Sequence, residues 1–402
     1  ALDALSGLSV LAAGLLLPRA LGTHPPAAEV LVGGEVTDTE ELSGDQKTLY
    51  EDYAAELEQM KEIGMAGSIY ETEGFTEYFD LYLNTCILGV KQTGEPEITR
   101  ELVDEMKALR EALVPTGGSK EDVIWYIWDD EIPAEDGAED FDFYTAADDS
   151  DFKPYICAYL VEDQSQAKGN ILVCSGGADL YRSNNNEGDP TCAFFRSIGY
   201  NAYLVNYRVS PYASVDMTLD VQRAVRYLLY HGEEYGIGAL DHIATMGYSA
   251  GAMHCYGQAI AFSGDITPDS VYPDYQCDEI DQVDADVDAT IIVYAAGMPH
   301  DTKGNPVDIS APIMLLEDGD PNQTEELPAF FFAGASGHYA SGFCVQAYTT
   351  LNPLTECELH MYAGIDEPFG LGTEYEGADQ MRAQIEAFLD VEFGYRTRVK
   401  NS

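Results

Sequence analysis

The sequence predicts an α/β protein whose core is a mostly parallel β-sheet with helices on both faces. Beyond Asp140, short apolar segments rich in β-branched and aromatic residues alternate with segments of helical periodicity. The strand-like segments are apolar along their whole length, which is typical of strands that helices cover on both faces. A Gly-x-Ser-x-Gly sequence at 247–251 stands where one such segment gives way to a helical one, a junction typical of the same class.

The alternation assigns the individual elements. Strands are predicted at Tyr155–Val161, Ile171–Cys174, Ala202–Tyr207, Ile243–Met246, Thr290–Ala295, Ala329–Ala333 and Glu358–Tyr362. Helices are predicted at Met217–His231, Ala250–Phe262, Gly342–Leu351 and Gly377–Phe388. Parallel neighbours in a sheet need long crossover connections, which are usually helices, so the order of these elements favours a parallel sheet.

The part of the chain before this region has a different pattern. Apolar residues such as Leu49, Tyr53 and Leu57 recur at helical spacing. Residues 29–120 are therefore predicted to form a helical addition, and residues 121–402 the α/β domain. We expect this addition to pack against the core of the α/β domain. It could also cover the mouth of an active site, and the pattern does not decide between the two.

The first residues predict export. The run Ala4–Leu17 is apolar and rich in small residues, but it is shorter than the roughly 20 residues that span a bilayer. Small residues follow it, as they do at a signal-peptidase site, so residues 1–28 are predicted to be an export signal, with an uncleaved anchor as the alternative. An extracytoplasmic or secreted location is the expectation.

The chain is strongly acidic, with 20 basic and 71 acidic side chains and a formal net charge of −51. Such a surface repels nucleic-acid phosphates and anionic lipids, so no nucleic-acid partner is expected, and no membrane contact apart from an N-terminal anchor. Solubility in a salty or extracytoplasmic setting explains the charge best, and attraction of a cationic substrate is the alternative.

Metal and cofactor chemistry has no support in the sequence. The eight cysteines include no Cys-x-x-Cys pair. No group of His, Asp and Glu has the spacing of metal ligands. Neither a metal nor another cofactor is expected, and the oligomeric state is open.

The sequence Gly-Tyr-Ser-Ala-Gly at 247–251 predicts a nucleophilic serine. It follows the predicted strand Ile243–Met246 and opens the next helix, as in a nucleophile elbow, a strand-to-helix turn so sharp that flanking side chains would clash. The turn lifts the Ser249 hydroxyl above the sheet. It also places the Ala250 amide at a helix N-terminus, where that amide can stabilise an oxyanion.

A second glycine-containing turn follows the strand Ile171–Cys174. Its sequence, Ser-Gly-Gly-Ala at 175–178, is similar to the His-Gly-Gly-Gly loop that contributes the second amide of an oxyanion hole in folds with a nucleophile elbow. The amide of Gly177 or Ala178 is the predicted donor. A plain glycine-rich turn is the alternative.

Together these motifs resemble those of the bacterial acetyl esterase and hormone-sensitive-lipase-like branch of the α/β hydrolases. Further matching pieces, in the family's order, are the Val205–Pro211 segment, the helix from Asp220 to Leu228 and the turn Tyr235–Ile237. The resemblance spans Phe141–Leu389. It implies an α/β-hydrolase fold with about eight strands and a serine carboxylesterase that acts on a small-molecule ester without a cofactor.

Both partners of the serine are absent from the positions where this family holds them. The resemblance places an aspartate after the strand Ala329–Ala333, where this chain has Gly337, and a histidine after the last strand, where it has Glu367. A carboxylate is a poor base for a serine hydroxyl near neutral pH. Loss of the base typically leaves only the catalysis that the oxyanion hole and substrate binding supply.

One arrangement restores a base. His338 comes directly after Gly337, the vacant position of the acid. His338 would then act as the base and Glu367 as its acid, so that each stands in the loop where the family holds the other. Such an exchange is chemically possible because a triad is defined by geometry rather than by chain order. The alternative is that His338 is an ordinary loop histidine. His254, just after the elbow, is expected to pack in the core. His300, on the loop after the strand Thr290–Ala295, is a weaker candidate whose loop could reach the pocket.

Two classes of function follow from these residues. One is an exported serine ester hydrolase of the carboxylesterase type with an atypical or incomplete triad. The other is a catalytically silent homologue that keeps the pocket and binds a small ligand.

Overall fold

A computed structural model gives the structure of the protein. It describes residues 29–32, 35–38, 44–65, 67–70, 73–81, 97–129, 132–134, 153–179, 181–209, 212–295, 297, 327–336, 341–363, 370–371 and 378–397. The predicted export segment at 1–28 lies outside these residues. In the described part, no helix combines the length and the apolar character that crossing a membrane requires.

An eight-stranded sheet is the centre of the molecule. Its strands are β3 (Ile124–Tyr126), β4 (Tyr155–Tyr159), β5 (Asn170–Cys174), β6 (Asn201–Asn206), β7 (Ile243–Tyr248), β8 (Ala289–Val293), β9 (Ala329–Ala335) and β10 (Cys357–Tyr362). Their order across the sheet is β10-β9-β8-β7-β5-β6-β4-β3. The pairs β3/β4 and β4/β6 are antiparallel, and the other neighbours are parallel. The prediction of a mostly parallel sheet is confirmed.

Helices cover both faces of this sheet. They are α4 (Lys120–Val123), α5 (Asp189–Ser197), α6 (Ser214–His231), α7 (Ser249–Ala261), α8 (Ser341–Leu351) and α9 (Ala378–Glu392). Leu172 and Cys174 of β5 belong to a buried cluster that includes residues of α6, α7 and α8. Ile171 and Val173 belong to a second cluster, with residues of α5 and α9. Alternate side chains of one strand thus enter opposite layers, which explains why the strand is apolar throughout.

The predicted strands and helices of the α/β region are present, with ends shifted by a few residues. The sequence pattern does not predict β3 or α5. β3 has only three residues at an edge of the sheet, and its burial pattern is mixed. α5 follows a π-helical turn at Asn184–Gly188 and buries few apolar side chains. Short elements of this kind carry too few residues for a clear periodicity.

The N-terminal region is not helical throughout. Its described helices are α1 (Asp45–Met65), α2 (Glu73–Leu81) and α3 (Arg100–Ala112). Before them, β1 (Glu29–Val32) and β2 (Glu35–Asp38) form an antiparallel pair. These two strands precede the described helices of the region that is predicted to be a helical addition.

The N-terminal helices have a small core of their own. Its buried side chains come from all three helices and the chain beside them, namely Tyr53, Met60, Ile63, Phe75, Tyr78, Val103, Met106 and Leu113. Tyr181, in the chain that follows β5, packs against this cluster. The backbone at Gly67 lies so close to α5 that a methyl group there would be 2.7 Å from Asp189 Oδ1. The helical addition therefore rests on the segment between β5 and α5.

A buried ion pair fixes the end of β6. The guanidinium of Arg208 donates to Asp220 of α6 from Nε at 2.9 Å and from Nη2 at 2.9 Å, and both side chains are fully buried. Trp128 Nε1 donates to the same carboxylate at 2.8 Å. Arg208 and Asp220 belong to the segments that carry the family resemblance, and their role is to join β6 to α6 rather than to react.

Candidate active site

Ser249 lies at the turn between β7 and α7 with a left-handed backbone, φ +48°. The glycines around it are required by close backbone contacts. A methyl group on Gly247 would lie 2.4 Å from Gly251 O, and one on Gly251 would lie 2.2 Å from Cys174 O. The prediction that Ser249 occupies a strained strand-to-helix turn is confirmed.

The topology of the sheet places this turn where a ligand crevice is expected. β5 pairs with β6 on one side and with β7 on the other. The order in which successive strands are added to the sheet therefore changes direction at β5, although these strands are parallel. In α/β sheets, ligands bind outside the carboxyl ends of strands at such a switch point. The loop after β5 and the elbow after β7 flank that point.

The loop after β5, residues 175–179, is called the glycine loop here. A methyl group on Gly176 would lie 2.8 Å from Ser249 Cβ, so this loop is packed directly against the elbow. The backbone is left-handed at Gly177 (φ +144°), Ala178 (φ +55°) and Asp179 (φ +60°). Consecutive positive φ values make a tight turn, and for the two non-glycine residues they are strained.

The Gly176 amide is not available to an oxyanion. It donates to Glu187 Oε2 at 2.6 Å. Glu187 is buried, and its other oxygen accepts a hydrogen bond from the Tyr294 hydroxyl at 2.7 Å. Tyr294 follows β8 and has a left-handed backbone, φ +40°. A buried carboxylate therefore joins the glycine loop to the end of β8, and Gly177 and Ala178 stay the predicted donors.

The other end of the glycine loop contacts α7. Asp179 Oδ1 lies 3.0 Å from His254 Nε2. His254 Nδ1 lies 3.1 Å from the Thr218 hydroxyl of α6, and the ring is fully buried. The prediction that His254 packs in the core is confirmed.

The remaining predicted partners of the serine lie outside the described residues. These are His338 and Glu367, the vacant position Gly337, and His300. Described histidines away from the elbow have other contacts: His242 stacks on Phe393, and His360 stacks on Phe331. In the described part, no group of His, Cys, Asp and Glu is arranged to hold a metal ion.

Two residues of the site do not follow from the sequence analysis. Asp179 comes directly after the Ser-Gly-Gly-Ala turn, and that position was the available signal for its role. Glu187 lies in an asparagine-rich stretch with no motif around it. Its partners Gly176 and Tyr294 are 11 and 107 residues away along the sequence, so only the folded chain reveals these contacts.

Comparisons with known proteins agree with this fold. The BD-FAE family model matches residues 158–294, a range that contains both the glycine loop and the elbow. No curated protein matches the chain by sequence.

Solved structures of two hydrolases are similar to the chain. An acetyl ester-xyloside bifunctional hydrolase from Caldicellulosiruptor lactoaceticus is 23% identical, with 66% of this chain and 96% of that chain covered and a TM-score of 0.48. Butyrate-bound esterase Est2 from Thermogutta terrifontis is 18% identical, with 61% and 92% covered and a TM-score of 0.44.

The strand order, the elbow and the family-model match define the class. The chain has an α/β-hydrolase fold with an N-terminal helical addition. Within that fold, Ser249 lies at the turn from β7 to α7, and the glycine loop packs against it.

Proposed function

We propose that this protein is a serine hydrolase of the carboxylesterase type that cleaves small-molecule esters, with Ser249 as nucleophile and an atypical or incomplete triad. The observation that carries the proposal is the left-handed backbone of Ser249 at the turn from β7 to α7. Such strain persists only where the surrounding structure holds it, and it clusters at functional sites. The glycine loop, packed against Ser249 Cβ, supports the same proposal.

In the proposed reaction, Ser249 Oγ forms a bond to the ester carbonyl carbon while its proton passes to a base. The carbonyl oxygen becomes an oxyanion, which accepts hydrogen bonds from the Ala250 amide and from the amide of Gly177 or Ala178. The bond to the alcohol oxygen then breaks, and the alcohol leaves with the proton from the base. Water hydrolyses the acyl-serine by the same sequence of steps.

The base in this proposal belongs to the loops after β9 and β10. His338 oriented by Glu367 is the pair that would supply it, with the places of acid and histidine exchanged. Without that pair the triad is incomplete, and turnover is slow. His254 is not proposed as the base, because its ring is fully buried and both of its nitrogens are engaged.

A catalytically silent homologue that binds a small ligand is the second candidate. Gly337 and Glu367, at the positions of the acid and the histidine in the resembling family, favour it. In both cases we propose that the protein acts outside the cytoplasm. The apolar run Ala4–Leu17 and the net charge of −51 support that location.

Hydrolysis of p-nitrophenyl acetate tests the proposal. We expect slow turnover that Ser249→Ala abolishes and that the control variant Ser263→Ala, on the loop after α7, leaves unchanged. If the exchanged pair supplies the base, His338→Ala should abolish it as well. Turnover that survives Ser249→Ala would refute the nucleophile. Turnover that depends on Ser249 but survives His338→Ala would refute the exchanged pair.

A gain-of-function variant distinguishes the incomplete triad from the exchanged one. If the triad is incomplete, Gly337→Asp combined with Glu367→His should raise the rate of ester hydrolysis, because it restores both partners at the family's positions. If His338 and Glu367 already act together, the same double variant should lower the rate, because it removes the acid of that pair.

A further inference from the structure

The contact between the glycine loop and α7 has a role beyond packing. Ala178 and Asp179 hold a strained left-handed turn, with φ +55° and +60°. A turn of this kind relaxes unless something holds it. The carboxylate of Asp179 is held by an imidazole of α7, the same helix that begins at Ser249.

His254 is a rigid anchor for that carboxylate. Its side chain is 0% exposed, whereas that of Asp179 is 20% exposed. The imidazole packs edge-on against the ring of Tyr207, with 5.0 Å between ring centroids. Burial raises the pKa of Tyr207, and its neutral phenol donates to Ser175 O at the start of the glycine loop. The ring of His254 is therefore fixed from more than one side.

The imidazole of His254 bridges the glycine loop and α6. Nε2 lies 3.0 Å from Asp179 Oδ1, and Nδ1 lies 3.1 Å from the Thr218 hydroxyl. A hydrogen bond to a carboxylate is stronger than one between two neutral groups, so the contact with Asp179 is the one that can hold the loop.

We propose that Asp179 and His254 are positioning residues that tie the glycine loop to the helix of the nucleophile. The tie fixes the amides of Gly177 and Ala178 relative to Ser249. Its catalytic consequence rests on the proposed function. If the tie is cut, the second donor of the oxyanion hole leaves its place, and loss of one such donor costs about 10²–10³ in kcat.

A matched pair of variants separates this role from others. His254→Gln keeps an amide N–H2 that can donate to Asp179, whereas His254→Leu removes the donor and keeps an apolar side chain. In an otherwise wild-type protein, we expect His254→Leu to lower kcat for p-nitrophenyl acetate about 10²-fold with little change in KM. We expect His254→Gln to stay within about tenfold of wild type, because the tie is retained.

A double-variant comparison tests whether the two residues act as one unit. If they do, Asp179→Ala combined with His254→Leu should be no slower than the slower single variant, because the tie is lost only once. If the fold-loss of kcat in the double variant equals the product of the losses in the two single variants, the residues act independently and the proposal is overturned. Equal inactivation by His254→Gln and His254→Leu would also overturn it and would assign a chemical role to the imidazole.

Hydrogen exchange gives a readout that does not depend on activity. The amides of residues 175–179 should exchange faster in His254→Leu than in wild type and His254→Gln. Unchanged exchange in His254→Leu would overturn the tie. A wild-type protein that hydrolyses no ester but shows this loss of protection would refute the proposed function while leaving the tie established.

Discussion

Replacement of Ser249 by glycine should stabilise the protein. Ser249 has φ +48°, and a left-handed conformation costs an L-residue about 1–2 kcal/mol. Glycine avoids this cost but loses about 0.4–1 kcal/mol through the greater entropy of the unfolded chain. Ser249→Gly should therefore raise the free energy of unfolding by about 0.5–1 kcal/mol. Ser249→Ala keeps Cβ and thus the strain, so it is the matched control.

Urea unfolding followed by tryptophan fluorescence measures the difference between the two variants. Trp128 is buried in the core of the α/β domain, so its emission reports on that domain. We expect a higher midpoint for Ser249→Gly than for Ser249→Ala, with equal slopes. A Ser249→Gly protein less stable than Ser249→Ala would refute the strain and, with it, the main structural support for a nucleophile elbow.

Further predictions concern the groups around the site. Glu187→Gln should lower the free energy of unfolding by about 1.5–3 kcal/mol in urea titrations, because it weakens a buried charge-assisted hydrogen bond. Gly251→Ala should yield little folded protein on gel filtration, since its methyl group would lie 2.2 Å from a carbonyl oxygen, whereas Gly342→Ala, in open space, should fold normally. Asp220→Ala should lower the free energy of unfolding by about 3–5 kcal/mol, because it leaves Arg208 charged and buried without its partner. Dialysis against a chelator should leave ester hydrolysis unchanged.

Features that depend only on local geometry can be predicted from the sequence. A strand-to-helix turn needs glycines at 247 and 251 whatever the rest of the chain does, so the elbow was predictable from five residues. Strands buried on both faces are apolar throughout, which made β5 and β7 recognisable.

The ties around the glycine loop were beyond sequence reasoning. Asp179 and His254 are 75 residues apart, and Glu187 and Tyr294 are 107 residues apart. Neither pair has a spacing or motif that marks it, because each contact exists only after several strands have taken their places in the sheet. Short elements such as β3 depend in the same way on their neighbours, since three residues carry no periodicity.

Covalent labelling with a fluorophosphonate tests most directly whether Ser249 is the nucleophile. The reagent phosphonylates a serine whose hydroxyl is activated and whose oxyanion hole is formed, and peptide mass spectrometry locates the adduct. We predict one adduct on Ser249 in the wild-type protein and none in Ser249→Ala. A wild-type protein that hydrolyses esters yet carries its adduct on another serine would contradict the account, as would an adduct that persists in Ser249→Ala.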